Sequence, residues 1–436
     1  MGVKSYFLSV NPHFSCAAGC SEIEMRPSAR CPIWPGLCLK TQSEQPFSRL
    51  AASGRIDDKT NIACFAVFAR RKNRSLSGRR RGLQTEPRFD VVLKSIPRGL
   101  ALVAAWTALL LTPVPIDAAE KAFQPAEVIQ AVNAGLRILN QGTVDYEEHR
   151  SCFSCHHQTL PMLAQATARE HGFKINEELF RQQSRITHNA FKTRTEKLRA
   201  GIGIGGKSMT VAYALWALDI AEWKPDETTE AMVAYLIKTQ KKDGRFYTSE
   251  TRPPLEDSPA TSVTIAAYYL QEFAADSQES SADDSVERAK RWLFNSEPER
   301  QEDKNARLWG MHLLNANKEQ IAAARKAVLD SQRDDGGWAQ LSDMSSDSYA
   351  TGQALWMLRE AGLAPEDPVY QRGVRFLLDT QQKDGSWLVK TRSKPIQIYF
   401  ESGFPHGKDQ FISISGASWA VAALAATQPL GNADPR

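Results

Sequence analysis

The sequence predicts an all-α protein, with six helical hairpins closing into a double ring. Three observations carry this. The segments 240-QKKDGRF-246, 332-QRDDGGW-338 and 381-QQKDGSW-387 share the pattern Gln-x-x-Asp-Gly-x-aromatic. They lie 92 and 49 residues apart, a period of about 46 with one copy degenerate, and such a period marks paired helices. Each copy is flanked by stretches with helical spacing of apolar residues, as Ala350, Ala354, Leu355, Leu358 and Ala361 show within 349–362. No strand-rich segment competes.

The hairpins follow in chain order. Residues 127–141 pair with 160–172, then 177–191 with 208–220, and 231–240 with 261–273. The degenerate pair is 286–294 with 306–316; the last two are 321–332 with 349–362 and 371–381 with 415–427. The second member of each pair carries few charges, so it belongs on the inside. Asp-Gly is expected to end the first member in a left-handed cap. The aromatic residue three places past the Asp then folds back over the helix end. A ring of six inner helices implies a central cavity, with Trp216, Tyr268 and Trp356 as candidate walls.

Ahead of this body the composition changes. Residues 1–98 hold 17 Lys+Arg against 7 Asp+Glu, whereas 99–436 hold 37 against 43. The basicity belongs to a leader that reads as disordered, and the slightly acidic body argues against a nucleic-acid partner. Lys94 and Arg98 precede the uncharged run 99-GLALVAAWTALLL-111, followed by Pro113, Pro115 and 118-AA-119. This is the pattern of a secretory signal over 99–119, too short for a membrane span of about 20 residues. The mature protein is therefore expected to be exported, periplasmic or extracellular, and without a membrane span. A signal this far into the chain suggests a start codon assigned too early, with Val91 or Val92 as the true start. The body proper is expected at 125–428, with a tail at 429–436.

Of the seven cysteines, only Cys152 and Cys155 fall in the body. They stand in 151-SCFSCHHQ-158, in the loop of the first hairpin, where later repeats place Asp-Gly-x-Trp. Three readings stay open. Cys152, Cys155 and His156 match the Cys-x-x-Cys-His spacing that tethers a c-type haem by two thioethers and one imidazole, with Met162 or His406 as a further ligand. Two thiolates with His156 and His157 could instead hold zinc, His149 or His406 replacing one of them. A Cys152–Cys155 disulfide could simply stiffen the loop. A second motif, 201-GIGIGGKS-208, fits a phosphate loop, but the charged 191-FKTRTEKLRA-200 before it is not strand-like. It reads as a glycine loop before an inner helix.

The Gln-x-x-Asp-Gly-x-Trp repeats of a helical double ring resemble those of the squalene–hopene cyclase and protein prenyltransferase superfamily. More narrowly, the chain resembles exported squalene cyclase-like, prenyltransferase-repeat proteins of bacteria, over residues 125–428. The resemblance implies an α/α toroid and, as leading function, a terpenoid cyclase-like cavity protein for an apolar or polysaccharide ligand, carrying the Cys-x-x-Cys-His loop. The cyclases protonate an alkene with Asp-x-Asp-Asp, which is absent here, so that role does not carry over. Carboxylates do precede inner helices, at Glu256, Asp257, Asp343, Asp347, Glu401 and Asp409. Capping accounts for them, and Asp257 and Asp347 are the candidates for catalysis. Alternatives are a periplasmic haem-binding or interaction module without catalysis, and a polysaccharide lyase, to whose Gly-Gly-Trp-Ala-Gln-like element 336-GGWAQ-340 is weakly similar.

Overall fold

The computed structural model describes residues 123–431 apart from 151, 250 and 395–397. The expected leader (1–98), the signal (99–119) and most of the 429–436 tail lie outside the described residues. The helices are α1 (Pro125–His149), α2 (Leu160–Glu170), α3 (Glu177–Lys192), α4 (Thr195–Ala200), α5 (Lys207–Ile220), α6 (Glu227–Thr239) and α7 (Pro259–Phe273). They continue as α8 (Glu279–Phe294), α9 (Gln301–Leu313), α10 (Lys318–Leu329), α11 (Ser348–Glu360), α12 (Pro368–Thr380) and α13 (Gln410–Ala425). Among the described residues there is no strand. Each expected hairpin is present, and α4 is a short addition inside the second.

Local chemistry sets the helix starts. Asn176, Asp226, Ser258, Asn317, Asp347 and Asp367 each accept a hydrogen bond from a backbone N–H of the following turn, satisfying donors that a helix N-terminus leaves free. Pro125, Pro259 and Pro368 occupy first turns, where the missing N–H costs nothing. The outer helices are one-sided: α12 buries Tyr370, Gly373, Val374 and Leu377, a single stripe at helical spacing. By contrast, α13 buries every residue but Phe411. The inner helices α2, α5, α7, α9, α11 and α13 pack in succession, and α13 returns to α2, so the ring is closed.

The repeated motif is the device that joins one hairpin to the next. The outer helices α6 and α12 end before it, their caps Gln240 and Gln381 already extended. The expected left-handed helix cap is therefore corrected. The glycine instead sits four residues after the Gln in a separate tight turn, closed by Gly244 N–H donating to Lys241 O at 3.0 Å and Gly385 N–H to Gln382 O at 2.9 Å. Each Gln side-chain amide donates twice. Gln240 reaches Gly244 O and Ser285 O, Gln332 reaches Gly336 O and Val369 O, and Gln381 reaches Gly385 O and Ala131 O. One acceptor lies in its own turn and the other on the next outer helix. For Gln381 the next outer helix is α1, so the same motif closes the ring. The indoles fold back as expected, Trp338 Nε1 donating to Val328 O and Trp387 Nε1 to Leu377 O, both at 2.8 Å.

The centre of the ring differs from expectation. Trp216, Trp309, Trp356 and Trp419, from α5, α9, α11 and α13, meet with ring centroids 5.0 to 6.4 Å apart. All four are buried. They fill the axis, leaving a pocket of about 30 Å³ between Trp216, Trp309, Trp356, Tyr268, Asp219 and Glu360, room for about one water. The central ligand cavity predicted from Trp216, Tyr268 and Trp356 is thus a packed aromatic plug. Indoles bury a large area each, and facing inner helices bring them together.

Candidate functional site

The larger hollows lie at the mouth where the inner helices begin. The last turn of α1 supplies Tyr146, and the chain leaves it extended at Arg150 and Ser154. Cys155–Thr159 then form one π turn running into α2, a form that recurs at functional sites. The turn is pinned by Gln158, whose side-chain oxygen accepts from Ser154 N–H at 2.6 Å. Thr159 Oγ1 donates to Tyr213 O of α5 at 3.0 Å.

This geometry separates the two cysteines. Both thiols are free; Cys152 is exposed and Cys155 buried. Cys152 Sγ lies 3.7 Å from Tyr146 Oη, and Cys155 Sγ donates to Glu256 Oε1 at 3.8 Å. Burial and the Glu256 carboxylate push the Cys155 thiol well above its ordinary value, so it is held protonated. The Glu256 carboxylate also accepts from Ser249 Oγ at 2.6 Å and Arg252 Nη1 at 3.2 Å.

The two histidines are neutral. Their Nδ1 atoms hydrogen-bond each other, so one carries the proton and the other accepts. Burial, then the Arg252 cation, holds His156 down to about 3. Burial and His156 hold His157 well below the usual range. Tyr146 stacks on His157 with centroids 4.4 Å apart, and the Phe411 ring stands edge-on to both. His157 Nε2 is buried without a partner.

Cys152, Cys155 and His156 all line one pocket of about 700 Å³. Its apolar walls include Phe153, Ile186, Phe191 and Ile204, and Arg150, Arg194 and Arg252 stand around it. Gly205 and Gly206 form part of the wall. The segment resembling a phosphate loop is thus a glycine turn between α4 and α5, with no strand before it. Its smallness leaves the pocket open, since a Cβ on Gly205 would meet nothing within 4 Å.

The other expected site residues lie elsewhere. Asp347 caps α11, accepting from Ala350 N–H at 2.9 Å and Gln340 Nε2 at 3.0 Å. Burial raises it to about 6. Asp257 pairs with Arg300 at 2.7 Å. Neither lines the 700 Å³ pocket. Met162 is wholly buried in α2, and His406 bonds Ser386 Oγ at 2.9 Å, so neither reaches His156 across that pocket. His149 lies against Phe400, 5.9 Å between centroids. Among the described residues no three of His, Cys, Asp and Glu are placed to hold a metal ion. The sequence reading missed Tyr146 and Arg252 and took Glu256 for a cap. Arg252 stands on a loop about a hundred residues from Cys155, and only the closed ring brings them together.

No family model matches the chain, and no curated protein does. Solved structures do. One is the E178A variant of a glycosidase, at 10% identity and a TM-score of 0.50, over 70% of this chain and 98% of that one. Another is the type II terpene cyclase MstE from Scytonema, at 12% identity and a TM-score of 0.45, over 70% of this chain and 98% of that one. At 10% identity the likeness to the glycosidase is one of fold alone, and with the closed ring of inner helices the chain is an α/α toroid.

Proposed function

We propose that this protein is an exported c-type haem carrier built on an α/α toroid. Cys152 and Cys155 would each add a thiol S–H across a haem vinyl group, forming one C–S bond and passing the hydrogen to the neighbouring carbon. His156 would supply the imidazole ligand. The carrying observation is that both free thiols and His156 open onto the same 700 Å³ pocket. The chemistry of that pocket fits the group. Its apolar walls suit a flat macrocycle, and Arg150 and Arg194 suit its two carboxylates, Arg252 being paired with Glu256. His156 is neutral, as a ligand must be. Its Nδ1 is held by His157, which leaves Nε2 for the metal. When bound, such a group supplies one-electron exchange or binding of a small diatomic ligand.

Among the described residues lining this pocket, His156 is the only His or Met. His156 would therefore be the side chain of this pocket that holds the metal, beside the two thioethers at Cys152 and Cys155. The 99–119 segment supports the reading, because export puts the thiols where covalent haem attachment takes place. A terpenoid cyclase or polysaccharide lyase gains less support, because the axis is filled by indoles and Asp347 is engaged as a cap.

Co-expression with haem-maturation machinery tests this. A Soret band that survives acid–acetone extraction is expected. Cys155→Ser should leave a single thioether, and the Cys152→Ser/Cys155→Ser variant no covalent haem. A colourless protein whose two thiols have oxidised to a disulfide would overturn it.

A further inference from the structure

Beyond His156 and Arg252 lies a second pocket, of about 450 Å³. Both residues line it as well as the first, so they form the partition between the two. Its walls are Leu255, Ile398, Phe400, Phe411 and Ile412, and its charged lining residues are Arg252, Lys394 and Lys408. Among the described residues no carboxylate lines it. Glu401 stands nearby but outside the lining, its carboxylate accepting from the Tyr399 hydroxyl and from Gln410 Nε2. Lys394 and Lys408 have no ion-pair partner among the described residues, whereas the neighbouring Lys390 is paired with Asp409 at 3.1 Å. At the rim Ile398 is 86% and Tyr399 51% exposed, which carries the apolar wall out to solvent.

We infer that this second pocket binds an anionic amphiphile, an apolar body carrying a carboxylate head. The body packs against Phe400, Phe411, Leu255 and Ile412, and the head meets Lys394 and Lys408. A pocket walled by apolar side chains with a few convergent charges is the usual build of a small-molecule site; Arg252 is paired with Glu256 at 3.2 Å, so Lys394 and Lys408 are the charges that select the sign of the head group. The inference does not rest on haem attachment, because Cys152 and Cys155 line only the first pocket.

Calorimetric titration of the haem-free chain tests it, with decanoate below its micellar concentration, decanol and acetate as probes. Decanoate should bind at least about tenfold more tightly than either of the others, since it alone satisfies both walls and lysines. The surface variant Lys394→Gln/Lys408→Gln should weaken decanoate about tenfold and leave decanol unchanged. Equal binding of decanol and decanoate, acetate as tight as decanoate, or no effect of the double variant would each overturn the inference. So would binding to vesicles of anionic lipid without binding to dispersed decanoate, which would assign the patch to a membrane surface. Decanoate binding alongside a failed haem test would remove only the haem reading.

Discussion

Replacing Gly385 by alanine is the most direct probe of how the ring closes. Gly385 has φ +96° and sits with its Cα against α1; a Cβ there would lie 2.6 Å from Ala134 O. An L-residue held in that region costs about 1–2 kcal/mol. The contact must also be relieved, which moves the turn away from α1 and weakens the two bonds from Gln381 Nε2 to Gly385 O and Ala131 O. Each such bond contributes about 1 kcal/mol. Against this, alanine makes the unfolded chain less flexible, a gain of about 0.4–1 kcal/mol. The net expectation is about 2–3 kcal/mol of destabilisation. For some 300 ordered residues that lowers the melting temperature by about 3–5 °C. Differential scanning calorimetry of Gly385→Ala beside Gly205→Ala reads it. Gly205 has open space around its Cβ position, so its variant should melt within about 1 °C of the parent. If Gly385→Ala also melts within 1 °C, the ring is not closed through this turn.

Two further outcomes follow from the same packing. Trp216→Ala removes one member of the axial plug and should cost about 3–5 kcal/mol, measured by denaturant unfolding; a loss under 1 kcal/mol would mean that the axis is loosely filled. At the far mouth, Glu170 and Glu360 close α2 and α11, and Asp219 lies in the last turn of α5. Burial, then neighbouring carboxylates, raises Glu360 to about 8 and Asp219 to about 7. A carboxylic acid whose folded pKa is raised holds its proton more tightly when folded, so its contribution is full below the unfolded value near 4.5. That contribution is lost as pH rises toward about 8. Stability should therefore fall over this window, and Glu360→Gln should flatten the fall, as melting temperatures between pH 4.5 and 8.5 will show.

The repeat was legible in the sequence because its chemistry is local. Gln381, Gly385 and Trp387 are fixed in spacing by one turn, and the apolar runs of α11 and α13 announce helices buried on all sides. Hairpin pairing and inner-versus-outer placement follow from that alone; the short α4 does not. The Cys-x-x-Cys-His loop was legible too, as a set of residue types within one segment. Distance in the chain hid the rest. Glu256 and Arg252 meet Cys155 and His156 only because α7 and α2 stand in one closed ring, and no spacing rule reports that. The axial plug was misread for the same reason. Trp216, Tyr268 and Trp356 read as wall residues of a hollow; that Trp309 and Trp419 join Trp216 and Trp356 at the axis, and that four large rings fill it, depends on the radius at which the six inner helices close. Periodicity determined the ring; its closure radius decided that the open space lies at the mouth, beside the two thiols.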